Sequence, residues 1–284
     1  MSQILLRQLF PDEPTFGGTT HGMQGSAIRH LFMTLAVSSL AARGGGPLRM
    51  IEIGSWTGFS ALTWAQAMGA FHPAGGSLTC IDVWQPYFTG ADLAKGDIYG
   101  TMDDLASTGL AYDLFVHNTR FVPKNVRVDH FRGRSRDILP LLQEGAFDLV
   151  YIDGSHYFDD VGHDIAGGDR LLREGGILCG DDLNLQAHEC DLDHAARSIE
   201  ENYVEDPRTG QHFHPGVTLA VDRFFGGPVS AFSGFWAMVK GAQGYRPFVP
   251  AGAQFLVPDH FPAWLRQTIL QTVAADPDLA PRAG

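Results

Sequence analysis

Apolar residues Ile28, Leu31, Phe32, Leu35, Ala36 and Leu40 recur at roughly helical spacing, and Arg43 with three following glycines ends the run. A helix with a glycine stop is predicted there. Downstream, short apolar runs alternate with amphipathic stretches. Residues 50–53, 78–83, 126–131, 147–152 and 176–179 read as strands, and residues 61–68, 112–119, 138–142 and 161–172 as helices among them. Such alternation indicates a parallel sheet covered on both faces.

The alternation breaks near the C-terminus. After a predicted helix over residues 214–225, two apolar runs, 229–232 and 235–239, are separated only by Ser233 and Gly234. Two residues cannot make a parallel crossover, so these strands form a hairpin and one of them runs antiparallel. The expected architecture is α/β: a Rossmann-like, doubly wound, seven-stranded, mostly parallel sheet with an antiparallel C-terminal hairpin and helices on both faces. One domain is expected over residues 25–245, after a Gly/Thr/Pro-rich arm at 1–24. A C-terminal extension at 246–284 carries one amphipathic helix over 261–273 and a Pro/Asp tail. Residues 84–110 and 183–216 fall outside the pattern and read as insertions over an acceptor pocket.

Composition narrows the partners. A chain of 284 residues with net charge −12, from 32 acidic and 20 basic side chains, repels a phosphate backbone, so nucleic acid is not expected. The longest apolar windows, such as residues 31–42, contain Ser and Thr and fall short of the roughly 20 residues that a membrane span needs. The N-terminus lacks a basic flank with an apolar core, and Cys80, Cys179 and Cys190 show no paired spacing. A reducing cytoplasm and a small-molecule partner are the expectation.

In an open α/β sheet, ligands bind beyond the carboxyl ends of the strands, where the topology reverses. The loop after the first strand reads Glu52-Ile53-Gly54-Ser55-Trp56-Thr57-Gly58. A dinucleotide fingerprint anchored on Gly54 needs glycines at 56 and 59, but Trp56 and Phe59 stand there, which disfavours a nicotinamide dehydrogenase. The surviving acid and glycine pair suit a ligand with an amino-acid tail and no pyrophosphate. Gly54 and Gly58 would admit it close to the backbone, and Glu52 would reach its ammonium group directly or through water; a generic tight turn is the alternative. Asp82 closes the second strand 28 positions after Gly54. A carboxylate there can accept hydrogen bonds from both hydroxyls of a ribose.

Residues 52–61 (EIGSWTGFSA), together with Asp82, Gly133-Arg134-Ser135-Arg136-Asp137, Tyr151-Ile152-Asp153-Gly154-Ser155-His156 and Gly180-Asp181-Asp182, carry a family resemblance. They resemble class I S-adenosylmethionine-dependent methyltransferases, and locally the metal-dependent O-methyltransferase branch of the catechol and macrolide-sugar types. The resemblance runs in order over roughly residues 22–240. It implies S-adenosylmethionine as cofactor, with Ser60 on the methionine carboxylate, Asp82 on the ribose, Ser135 and Arg136 beside the adenine, and Gln24 closing over the amino-acid end. It also implies Ser55, Val83, Trp84 and Asp153 along the cofactor surface. Arg136 either lies over the adenine face or points to solvent. Trp84 and Tyr87 either wall the cofactor or pack in the core.

Asp153 ends the fourth strand, and Asp181 and Asp182 end the fifth, so the topology brings three carboxylates to one rim. Without a cation they would repel, whereas a hard divalent ion takes oxygen ligands in this arrangement. The resemblance makes magnesium the expected occupant. The alternative is that Asp181 and Asp182 cap a helix while Asp153 binds the cofactor or a backbone amide. A bound ion would hold two acceptor oxygens and lower the pKa of the one to be methylated.

His156, three residues after Asp153, is placed as a general base with an unperturbed pKa near ~6.5, and Asp153 is the other candidate; a structural loop histidine is the alternative reading of His156. The segment 183–216 holds His188, Glu189, Cys190, Asp191, Asp193, His194, His212 and His214 without the spacing of a zinc site, and reads as a lid with solvated charges.

The expected function is methyl transfer to a hydroxyl of a small molecule, whether sugar, natural product or polyphenol. A metal-independent N-, C- or O-methyltransferase and a catalytically silent S-adenosylmethionine-binding protein are the competing readings. The N-terminal arm and the 261–273 helix are the surfaces open to a symmetric homo-oligomer.

Overall fold

The computed structural model describes residues 3–16, 26–250 and 253–275. Its strands are β1 (Leu48–Ile53), β2 (Gly76–Asp82), β3 (Val126–Arg132), β4 (Phe147–Ile152), β5 (Leu172–Leu183), β6 (Val204–Glu205), β7 (His212–Phe213), β8 (Ser230–Phe232), β9 (Gly234–Gly241) and β10 (Gly244–Pro247). The helices are α1 (Gln3–Leu9), α2 (Ala27–Ala41), α3 (Phe59–Phe71), α4 (Gly90–Leu93), α5 (Asp97–Ser107), α6 (Leu110–Asn118), α7 (Ser135–Ile138), α8 (Phe158–Leu171), α9 (Leu192–Arg197), α10 (Pro215–Phe225) and α11 (Ala263–Ala275). The main sheet runs β10-β9-β5-β4-β1-β2-β3, with β8 beside β9. Strands β1 to β5 pair in parallel, while β9 is antiparallel to β5, β8 and β10.

The expected doubly wound sheet with an antiparallel edge is present, with differences that have local causes. The sheet has eight strands rather than seven, because β9 presents one edge to β5 and shares the other between β8 and β10. The hairpin between β8 and β9 turns on Ser233 and Gly234, both at positive φ (53° and 94°). Insertion 84–110 contains α4 and α5, and insertion 183–216 contains α9 and the small β6-β7 sheet.

Strand alternation divides the core in two. Met50, Leu78, Leu149 and Ile177 face a layer of α2, α3, α6 and α11, whereas Ile51, Ile81, Val150 and Leu178 face α8 and α10. Every residue of β4 is buried, as expected of a central parallel strand.

The flanking segments belong to this core as well. Leu265, Ile269 and Val273 of α11 are buried in the first layer, and Leu6 of α1 is buried while Gln3 Nε2 donates to the Asp113 carbonyl and carboxylate near α6. Among the described residues, no helix is long and apolar enough to cross a membrane.

The β1–α3 turn is the tightest junction. Gly54 adopts φ +88°, and a Cβ there would lie 1.8 Å from the Asp153 carbonyl oxygen. Its N–H donates to Ile81 O, and Asp153 N–H donates to Ile53 O, so the ends of β1, β2 and β4 close on this residue. Gly54→Ala must displace backbone rather than a side chain. We expect it to cost at least ~4 kcal/mol, read as a fall in the thermal melting temperature of more than 10 °C, or as failure to fold; a melt within 3 °C of the parent would contradict this geometry.

Candidate active site

Because β1, β2, β4 and β5 are parallel, their carboxyl ends share one edge, and a cavity of about 1460 Å³ opens above it. Gly54, Ser55, Ser60, Asp82, Val83, Trp84, Ser135, Arg136, Asp153, His156 and Asp182 all border this cavity. Glu52, Gly58 and Asp181 do not line it, and Gln24 lies outside the described residues.

Asp82 is held by backbone donors. Trp56 N–H donates to Oδ2 at 2.9 Å and Trp84 N–H to Oδ1 at 2.7 Å. Both tryptophans sit at positive φ, 44° and 46°, an uncommon state for bulky residues and one that collects at functional sites. The Trp84 indole is 1% exposed against Tyr112 and Phe115 and donates to Trp56 O at 2.6 Å. The Trp84 ring is therefore core, and its contribution at the cavity is its backbone amide.

Glu52 is fully buried. Burial pushes its carboxyl up to about 7; Ser60, Ser55 and Cys80 offset part of this. By geometry only the Cys80 thiol donates to it, at 3.5 Å, and Oε1 has no partner among the described residues. At the other end of the cavity, Ser135 opens α7, and Arg136 turns outward to Asp160 at 3.4 Å. Beneath it lies Asp164, 2% exposed and also pushed up to about 7 by burial.

The carboxylates converge through a bulge. Pairing of β5 with β9 shifts register between Gly180 and Leu183, and Asp182 takes φ +63°. Consecutive strand residues ordinarily face opposite sides; the bulge re-aims them, and one oxygen each of Asp153, Asp181 and Asp182 falls within a 4.8 Å group.

A guanidinium occupies this group. Arg29 Nη1 donates to Asp153 Oδ2 at 3.0 Å and to Asp181 Oδ2, with both side chains of the latter pair only 7% exposed. Sequence reasoning missed Arg29, although it is the only Lys, Arg, Asp or Glu in the mostly apolar α2. Tyr151 O–H also donates to Asp153 Oδ2, at 3.0 Å.

A family profile described as a methyltransferase domain matches residues 51–183, which are β1 through β5 with the glycine loop and the acidic rim. Over those residues the chain is similar to methyltransferase domains. The solved O-methyltransferase NovP is 15% identical over 75% of this chain and 79% of its own, with a TM-score of 0.50. A TDP-rhamnose 3'-O-methyltransferase of calicheamicin biosynthesis is 15% identical over 75% of this chain and 78% of its own, TM-score 0.42. An O-methyltransferase from Bacillus cereus, in complex with SAH, is 15% identical over 86% and 84%, TM-score 0.38. No curated protein matches the chain.

Two expectations meet partners that the sequence reading did not include. Magnesium on the three carboxylates meets a space in which the Arg29 guanidinium is already bonded to Asp153 and Asp181. With a guanidinium bonded to two of its members, the trio as folded does not fit a hard divalent ion. His156 was expected as an uncharged base. Its Nδ1 bonds Asn202 Oδ1 at 2.8 Å and its Nε2 lies 2.9 Å from Asp182 Oδ2. Burial alone would lower its pKa, but the Asp182 charge and these bonds carry it up to about 9. In this arrangement the Asp182 carboxylate of β5, 2.9 Å from Nε2, favours the protonated imidazole as its donor.

The Glu52 shift has a definite sign. Its folded pKa of about 7 exceeds the ordinary 4.5, so the neutral carboxyl favours the fold at low pH. That contribution is lost as pH rises from about 4.5 through 7. Relative to the parent, Glu52→Gln should therefore gain stability across this window, by up to ~3 kcal/mol. Urea titrations at pH 4.5, 6 and 8 check it, and a difference that does not change with pH would mean Glu52 is charged throughout.

Proposed function

We propose that this protein transfers the methyl group of S-adenosylmethionine to a hydroxyl of a small molecule such as a sugar, natural product or polyphenol. The observation that carries the reading is one cavity with a nucleoside-type end and an acidic end. At one end the Gly54–Gly58 turn and the doubly anchored Asp82 face the space; at the other, Asp153, Asp182 and His156 do. Its volume of about 1460 Å³ exceeds the ~300–1,000 Å³ of a usual small-molecule pocket, which suits a cofactor and an acceptor side by side. The O-methyltransferase activity of the similarly folded NovP supports oxygen as the accepting atom.

In this reading Asp82 takes the ribose hydroxyls, Ser60 and Ser55 meet the methionine end, and Ser135 with Val83 borders the adenine. Asp153 is the base. Its Oδ2 is fixed by Arg29 and Tyr151, which leaves Oδ1 to accept the acceptor's proton as its oxygen attacks the sulfonium methyl. S-adenosylhomocysteine then leaves with the sulfur lone pair, and the proton passes from Asp153 to solvent. Burial raises the Asp153 carboxyl well above the usual range, partly opposed by Arg29, and a more basic carboxylate is a better proton acceptor.

Calorimetry with S-adenosylhomocysteine tests the first half. Asp82→Ala should weaken binding by at least ~1 kcal/mol, about fivefold or more, through loss of charge-assisted bonds, and S-adenosylhomocysteine but not NAD should raise the melting temperature. Wild-type affinity in Asp82→Ala would remove the ribose assignment. For the second half, Asp153→Asn should lower turnover on a hydroxyl panel by ~10²-fold or more with S-adenosylhomocysteine affinity nearly unchanged. Cofactor binding with no turnover on any acceptor would instead indicate a silent binding protein.

A further inference from the structure

We propose that His156, His214 and Asp182 form a binding site for a divalent first-row transition-metal ion, distinct from the three-carboxylate arrangement. The proposal stands whether or not the protein transfers methyl groups.

The three residues come from separate elements: His156 follows β4, Asp182 is the bulge residue of β5, and His214 caps α10. His156 Nε2 lies 2.9 Å from Asp182 Oδ2 and His214 Nε2 lies 3.9 Å from Asp182 Oδ1, with the two imidazole centroids 4.2 Å apart. One ligand atom from each residue falls within 4.8 Å of the other two. Bonds of about 2.0–2.1 Å in tetrahedral geometry put ligand atoms roughly 3.4 Å apart, so these side chains need only small adjustments.

The second observation is what holds the imidazoles. His214 Nδ1 lies 2.6 Å from the Asn202 carbonyl oxygen, an acceptor only, so Nδ1 carries the proton. His156 Nδ1 lies 2.8 Å from the Asn202 side-chain Oδ1. One residue, 1% exposed, thus orients both rings with Nε2 turned to Asp182. Metal-ligating histidines are held in this way by a partner on the far ring nitrogen. The packing is specific to the arrangement: a Cβ on Gly216 would lie 2.3 Å from the His156 carbonyl oxygen, so glycine there lets α10 bring His214 beside His156.

Charge agrees. With His156 uncharged as a ligand, Asp153, Asp181 and Asp182 against Arg29 leave two negative charges, the complement of one divalent cation. Two imidazole ligands select a transition metal over magnesium, which takes oxygen. All three ligands border the cavity, and three protein ligands with an open position is the pattern of a reactive rather than a structural site. The bound ion would act as a Lewis acid toward an oxygen in the cavity. On binding, His156 Nε2 releases its proton to solvent.

Metal-stripped protein titrated with Co²⁺ should take up one equivalent with a visible d–d spectrum, displaced by Zn²⁺ but not by millimolar Mg²⁺. His214→Gln and His156→Gln should each weaken Co²⁺ by at least tenfold, Asn202→Ala by tenfold or more, and Asp181→Asn by less than threefold. S-adenosylhomocysteine affinity, read in every variant, reports an intact cofactor site independently of the metal. Zn²⁺ should also shift the Nε2 resonances of two histidines in ¹⁵N spectra of the unmutated protein, which requires no variant to fold. No stoichiometric uptake, unmoved histidine resonances, or binding that Asp181→Asn abolishes and His214→Gln spares would each overturn the proposal, the last in favour of the three-carboxylate site.

Discussion

Burial of Arg29 between Asp153 and Asp181 is the interaction on which the acidic edge depends. Three carboxylates gathered at the ends of β4 and β5 would each resist desolvation and repel the others. The guanidinium, planar and permanently charged, bonds two of them at once. It thereby ties α2, ahead of the first strand, to the centre of the sheet, and Ser26 starts that helix by accepting from Arg29 N–H at 3.2 Å. The arrangement costs desolvation but fixes position: Asp153 presents one oxygen to the cavity and the third carboxylate, Asp182, is left to the histidines.

Strain collects on the same edge. Three of the four non-glycine residues at positive φ among those described, Trp56, Trp84 and Asp182, stand around the cavity. Each aims something that a regular backbone would point elsewhere: the two tryptophan amides converge on Asp82, and the bulge at Asp182 turns its carboxylate toward His156 and His214. Buried partners hold these conformations, since the Trp84 indole is locked among Tyr112, Phe115 and the Trp56 carbonyl. The polar geometry of the site thus rests on apolar packing one layer below it.

The insertions supply the remaining wall. Segment 84–110 places Thr89 and Asp92 in a reciprocal cap at the start of α4, and Tyr157 O–H donates to Asp92 at 2.5 Å, which joins this insertion to the turn carrying His156. Segment 183–216 contributes Asn202 and His214. The first segment is hydrogen-bonded to Tyr157, next to His156, and the second to His156 itself.

The sequence by itself determined the alternating α/β order, the antiparallel hairpin at Ser233-Gly234, the glycine turn at Gly54 and Gly58, and the placing of Asp82, Asp153, Asp181 and Asp182 on one edge. Those features are local or follow from topology: hydrophobic period, turn length, and the rule that parallel strands end on the same side. Even the burial of Arg29 left a trace, as a single formal charge in an apolar helix. Tertiary structure alone decided who neutralises whom. That Arg29 meets Asp153 and Asp181, that Asn202 holds both His156 and His214, and that the Trp84 ring belongs to the core depend on side chains brought together across 12 to 152 positions of sequence. No local pattern encodes such distances, because charge pairing acts through space while periodicity is read along the chain.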